Sequence, residues 1–330
     1  MLDLSIEFRI VRSTTGNSVK RSLKVKRIAL TRWLVCVIVQ QTLLVCLVAG
    51  CCTPLAPRAI PVANCKVSPE ILAATEVQIE RGQPRKVIDG IGWVIGIPSK
   101  ILLWDRRVEN HRISSETEIA MQGYLAVNDL QHVKVRLNQY HPRDDWYRLT
   151  QNRSVGWGWR YTLGTLSVLG ETLLPGRIFG GDHFNPFTNT IHLYSDVPAI
   201  AWHEAAHAKD FTRRQYPGTY AAIYVLPIVP LWHESIASSD VFAYVETLDD
   251  LSAQIEAHQI LYPAYATYVG NALGGFAPKY ANPLYYGSIL AGHGIGRWKA
   301  SRIEKASAAS HELHFDSHHR PHLATPQLQH

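Results

Sequence analysis

The stretch Ala201-Trp202-His203-Glu204-Ala205-Ala206-His207-Ala208 decides the reading of this 330-residue chain. Two histidines four residues apart lie one above the other on a helix face, where their imidazole nitrogens can converge on one divalent ion. Glu204, the residue after the first histidine, then flanks the position left open on that ion. There it can accept a proton from a water whose pKa the ion has lowered. The two residues between are alanines, which leave room for close helix packing. A surface helix with solvated His and Glu is the competing reading. The apolar character of residues 199–208 opposes it, because His and Glu in a buried helix need partners.

Outward from the motif, Thr190-Ile191-His192-Leu193-Tyr194 and Arg177-Ile178-Phe179 read as strands, joined by residues 180–189 with their Gly-Gly and Asn-Pro turn signals. Within that loop Asp182-His183-Phe184-Asn185-Pro186 reads as a turn held by Asn-Pro. Ser195 or Asp196 is expected to cap a helix running through residue 211, with Pro198 in its first turn. Further upstream, His132-Val133-Lys134-Val135-Arg136-Leu137 alternates as a strand does, and Ser115-Glu116-Thr117-Glu118 is a capping-box pattern opening a helix to about Leu130. Residues 157–175, apolar and punctuated by glycine, read as a helix on the sheet, with Gly156-Trp157-Gly158-Trp159 as packing rather than a binding lip. Downstream, residues 220–232 are apolar but broken by Pro227 and Pro230, too short to span a bilayer. Helices are expected from His233 to about Thr267.

The segment from 190 to about 250 resembles the zincin metallopeptidases, whose active-site helix carries this H-E-x-x-H pattern. The resemblance implies an α+β fold over residues 86–300: a small mixed or antiparallel sheet packed on the active-site helix, with a helical C-terminal half. In zincins the strand before that helix walls the substrate cleft and pairs with an extended peptide, a position occupied here by residues 190–194. One branch of the family would place a third ligand six residues after His207, where this chain has Arg213. The gluzincin branch uses a Glu on a following helix, which points to Glu234, 27 residues after His207, with His233 in reserve. Gluzincins often carry an Asp four residues after that Glu to orient a ligand histidine. Ser238 stands there, so Asp210 and Asp240 are the candidates for that role. Lys209 also departs from the family pattern, which prefers an apolar residue. The implied activity is hydrolysis of a peptide or protein substrate by Zn²⁺-activated water, with Glu204 as general base and His203, His207 and Glu234 as ligands. An oxyanion donor is sought among Tyr244, Tyr262, Tyr265, Tyr268 and His293.

The net charge of +6 is confined to the N-terminus. Residues 1–32 hold eight Lys/Arg against Asp3 and Glu7, residues 33–50 carry no charge, and residues 51–330 balance 25 basic against 25 acidic groups. The case for a nucleic-acid partner goes with that leader. A basic segment followed by an apolar run reads as a secretory signal, and Val48-Ala49-Gly50-Cys51 resembles the lipobox of bacterial lipoproteins. That implies cleavage before Cys51, a diacylglyceryl anchor on it, and an outward-facing body in the bacterial cell envelope. An uncleaved single span is the alternative. Residues 51–85, rich in Pro, Ala and Val, suit a flexible tether. All five cysteines lie within the first 65 residues, so the body has no disulfide and no thiolate site. Residues 301–330, with six histidines, read as a disordered tail able to bind metals weakly. Two rival readings are a non-catalytic zinc-binding scaffold and a membrane-integrated protein embedding residues 92–104, 220–232 and 284–296.

Overall fold

The computed structural model describes residues 77–226 and 228–319, with side chains described to residue 309. In chain order the elements are β1 (Ile79–Arg81), α1 (Lys86–Ile95), α2 (Ile97–Leu103), α3 (Ser115–Val127), β2 (Lys134–Leu137), α4 (Pro142–Gln151) and α5 (Thr165–Leu173). A helical turn at Trp157–Trp159 and a π-helical stretch, Arg160–Gly164, lead into α5. Then come α6 (Gly176–Phe179), β3 (His183–Asn185), β4 (Thr190–Leu193), α7 (Pro198–Thr212), α8 (Pro217–Ile223), α9 (Val229–Thr247), α10 (Leu251–Phe276) and α11 (Ala281–His319). The fold is α+β: a mixed four-stranded sheet in the order β1-β2-β4-β3, with long helices toward the C-terminus.

Alternation along β2 and β4 sorts their side chains onto two faces. Val135, Leu137, Ile191 and Leu193 join one apolar core with Met121, Tyr124 and Leu125 of α3, Ala201 and Ala205 of α7, and Val241 of α9. The opposite face is polar yet also buried, since Arg136, Thr190 and His192 are all covered. There Arg136 pairs with Asp144 at 2.5 Å and Asp145 at 3.0 Å, and Arg148 of α4 donates to Thr190 Oγ1 at 3.0 Å. A strand that alternates as if half solvated therefore has both faces buried, because α4 and α5 close over the polar one.

Several local expectations change. The predicted strand at Arg177-Ile178-Phe179 is the short helix α6, set between Pro175 and Gly180 at φ +75°, with the Arg177 guanidinium paired to Asp89 at 2.7 Å. The predicted loop at 180–189 contains β3, antiparallel to β4. Asp182 fixes it by accepting from the backbone N–H groups of Tyr194 and Ser195 at 2.6 and 2.9 Å. Residues 190–193 are consequently an inner strand, paired with β2 on one side and β3 on the other, and β3 is the edge. The last residues of the predicted tether form β1, held parallel to β2 and helped by the Glu80–Lys134 ion pair. The cap of α3 is Ser114, one residue earlier than the capping-box reading.

The C-terminal tail also differs from expectation, since α11 runs on to residue 319. It lies antiparallel against α10: Gly270 sits beside Tyr285, and Gly296 approaches His258 so closely that a Cβ there would strike its carbonyl oxygen. Beyond Ala300, which is buried, Arg302, Glu304, Lys305, Ala306, Ala308 and Ala309 are good helix formers that extend an existing helix at little cost. Among the described residues no helix is long and apolar enough to cross a membrane. Cys51 and the segment 1–50 lie outside the described residues.

Candidate metal centre

Helix α7 starts at Pro198, whose missing N–H is no loss in the first turn. Neither Ser195 nor Asp196 caps it. The Ser195 hydroxyl donates to Asp182, and Asp196 accepts from Ser114 N, Ser114 Oγ and Thr117 Oγ1, serving the start of α3 instead. The free N–H of Ala199 is taken by Glu256 of α10 at 3.1 Å. Trp202 Nε1 donates to the Ala120 carbonyl at 3.0 Å, which sets the rotation of α7. Ala205, Ala206 and Ala208 are buried and allow close approach of its neighbours.

That rotation brings His203 and His207 to Glu234 of α9. His203 Nε2 and His207 Nε2 are 3.1 Å apart, His203 Nε2 lies 2.9 Å from Glu234 Oε2, and His207 Nε2 lies 3.5 Å from Glu234 Oε1. Atoms held 2.0–2.1 Å from one tetrahedral zinc lie about 3.3 Å from each other. A hydrogen bond between the two rings needs one nitrogen to donate and the other to accept, whereas a shared cation would engage both nitrogens and the carboxylate together. The set therefore fits a divalent metal by donor type and by spacing, and the three expected ligands are brought together. His203 Nδ1 is buried without a protein partner.

The electrostatics follow from burial. Glu204, on the same helix, has its carboxyl pKa raised by burial and by the charges of Glu234 and Asp182, against the opposing pull of His207 and His203. Burial alone would lower His207, but the Glu234 carboxylate outweighs it and pushes the imidazole up to about 9. Glu234 is held well below the usual carboxylate range: burial opposes this, and the two histidines prevail.

The remaining candidates divide. Asp210 accepts from the Tyr220 hydroxyl and from Arg214, both at 2.5 Å, and Asp240 accepts from Lys209 at 2.6 Å and from the Tyr124 hydroxyl; neither carboxylate orients a ligand histidine. The Lys209 departure is thereby explained, since its buried ammonium ties α7 to α9. His203 meets Glu234 and Lys209 meets Asp240 at the same sequence offset of 31, so the two helices are joined by matched pairs about two turns apart. His233 is not a ligand here. Its ring stacks on Tyr220 at 4.0 Å, both nitrogens are buried without partners, and burial brings its pKa down to about 4.

Of the oxyanion candidates Tyr268 is the one whose pKa is pushed up by burial together with the Glu234 and Glu204 charges. Tyr244 packs edge-on to Tyr124 and Trp202, Tyr262 lies beside Phe242, Tyr265 donates to the Leu231 carbonyl, and His293 binds the Leu102 carbonyl. Tyr224 was missed by sequence reasoning: its hydroxyl donates to Glu234 Oε1, and burial plus that carboxylate hold its pKa well up. The run 220–232 reads as plain apolar core, and a tyrosine in it gives no local signal. A separate cleft of about 630 Å³, lined by Arg81, Asp89, Trp93, His111 and Asn138 among others, contains none of the three clustered ligands. Compared with protein families, curated proteins and solved structures, the chain has no match.

Proposed function

We propose that the chain is a membrane-tethered zinc metallopeptidase, zincin-like and of the gluzincin arrangement, with His203, His207 and Glu234 holding one Zn²⁺ and Glu204 acting as general base. The observation that carries the reading is the convergence of two histidine Nε2 atoms and a buried carboxylate from α9 within 2.9–3.5 Å, beside a second buried carboxylate on α7. Zinc bound there would supply Lewis acidity, polarising the scissile carbonyl and acidifying water.

The chain's own groups do the rest. Glu204 takes the proton of the attacking water on its carboxylate and passes it to the departing amine nitrogen. Burial raises its pKa, which favours returning the proton it has taken. Tyr224 fixes the Glu234 carboxylate by a hydrogen bond to Oε1 and so holds the ligand in place. The outer edge of β3, beyond which no described strand lies, offers its backbone groups to an extended peptide, replacing β4 in the role expected of the wall strand.

The test is metal content by mass spectrometry and hydrolysis of an unfolded protein substrate. Wild type should carry zinc that His203→Ala and Glu234→Ala lose, and Glu204→Gln should keep the zinc while losing about 10²- to 10⁴-fold in rate. Full hydrolysis by Glu204→Gln, or wild type without stoichiometric metal, would overturn the assignment.

A further inference from the structure

We propose that Glu171, His183 and His192 form a second site for a divalent transition metal of the zinc type, built on the polar face of the sheet and independent of His203, His207 and Glu234. His183 of β3 and His192 of β4 are directly opposite in the antiparallel register, which puts both side chains on one face. Their rings stack with centroids 4.8 Å apart and planes 11° from parallel. Helix α5 covers that face and supplies Glu171, whose Oε1 lies 3.0 Å from His183 Nε2 and whose Oε2 lies 4.0 Å from His192 Nε2. The three ligand atoms all fall within 4.8 Å of one another.

Three further observations point to a ligand. His192 is only 4% exposed, and its Nε2 is buried with no hydrogen-bond partner. Glu171 Oε2 is likewise buried and unpartnered. These two orphans face each other across a gap too long for a hydrogen bond and suited to an ion between them. His183 Nδ1 lies 2.8 Å from the Gly181 carbonyl, to which it can only donate, so Nε2, which donates to Glu171 Oε1 at 3.0 Å, is the nitrogen that a metal would take on displacing its proton. Glu171 is oriented in turn by Asn185 Nδ2, which donates to Oε1 at 2.6 Å and to Ser167 Oγ at 3.0 Å. A buried pair of imidazoles with one carboxylate is a donor set for zinc, cobalt, nickel or copper. Calcium and magnesium require more oxygen ligands than the cluster offers.

The experiment uses the full chain, dialysed against a zinc–chelator buffer and then measured for zinc by mass spectrometry. The histidines beyond residue 309 are present in every variant, so differences from wild type are read rather than totals. His183→Ala, Glu171→Gln and His192→Gln should each lower zinc by one equivalent. The double variant His183→Ala with Glu234→Ala should lower it by two, with far-UV circular dichroism unchanged. His183 is partly exposed, so His183→Ala keeps the test decisive even where a change at buried His192 perturbs folding. A His183→Ala protein with the zinc content of wild type overturns the proposal. A loss of zinc in His183→Ala but not in Glu234→Ala would support this site while removing the proposed catalytic one.

Discussion

His293 carries a consequence for acid stability. Its Nε2 donates to the Leu102 carbonyl at 2.8 Å, its Nδ1 accepts from Arg297 at 2.7 Å, and its ring stacks on Trp104 with centroids 3.8 Å apart. Both nitrogens are satisfied only in the neutral ring. Burial and the neighbouring guanidinium lower its pKa from the ordinary value of about 6.5. With the folded value below the unfolded one, stability is full above about pH 6.5 and is lost as pH falls toward the folded pKa. The urea midpoint should therefore drop on mild acidification, and His293→Gln, which retains a donor and an acceptor, should flatten that part of the profile. His233 makes the opposite case. Its two unpaired buried nitrogens sit among Tyr220, Tyr224, Phe211 and Trp232, so His233→Phe should be neutral or stabilise by about 1 kcal/mol and leave zinc content unchanged. Loss of zinc in that variant would make His233 a ligand after all. At this scale the sequence is most legible where the pattern is local. His203, Glu204 and His207 declare themselves by spacing and Glu234 only through the gluzincin resemblance, whereas Tyr224 acts only through the way α8 and α9 fold back on each other.

Between elements, the buried Lys209–Asp240 pair joins α7 to α9, with the Tyr124 hydroxyl of α3 as a further donor. Removing one partner strands the other. Asp240→Ala should cost about 3–5 kcal/mol in denaturant unfolding, and zinc should dissociate faster because the two helices that carry the ligands lose a tie. Lys209→Met with Asp240→Leu and Tyr124→Phe should recover most of that stability; equal damage in single and triple variants would show that the pair is not the cause. Element type was legible for α3, β2, β4, α7, α9 and α10, which have long or strict periods. It failed at the short pieces. Residues 177–179 have strand-like composition, yet Pro175 and Gly180 confine them to one helical turn, and β3 is hidden in turn signals because its stability comes from Asp182 and from pairing with β4. The Glu171, His183 and His192 cluster depends on that register, so no inspection of spacing would have assembled it.

Among the described residues the sheet is a partition, with an apolar core against one face and a buried polar layer against the other. Metal that binds only the folded chain adds RT ln(1 + [L]/Kd), about 2.7 kcal/mol at a hundredfold excess over Kd, so chelation should lower the Tm measurably. An unchanged Tm would mean that the folded chain gains nothing from metal. For the full chain, Cys51→Ser should move the protein from the membrane fraction to the soluble one if the lipid anchor is real; retention would favour an uncleaved span. The boundaries expected from composition shift among the described residues, since β1 lies inside the predicted tether and α11 runs into the predicted tail. The pairing of α7 with α9 has one last consequence. With His203 seated on Glu234 and Lys209 on Asp240 at a common offset, the helices meet like a two-pin plug and its socket. A slip of one turn, about 5.4 Å, unseats both pins together, so mutations that loosen this joint should abolish metal capture in a single step rather than erode it by degrees.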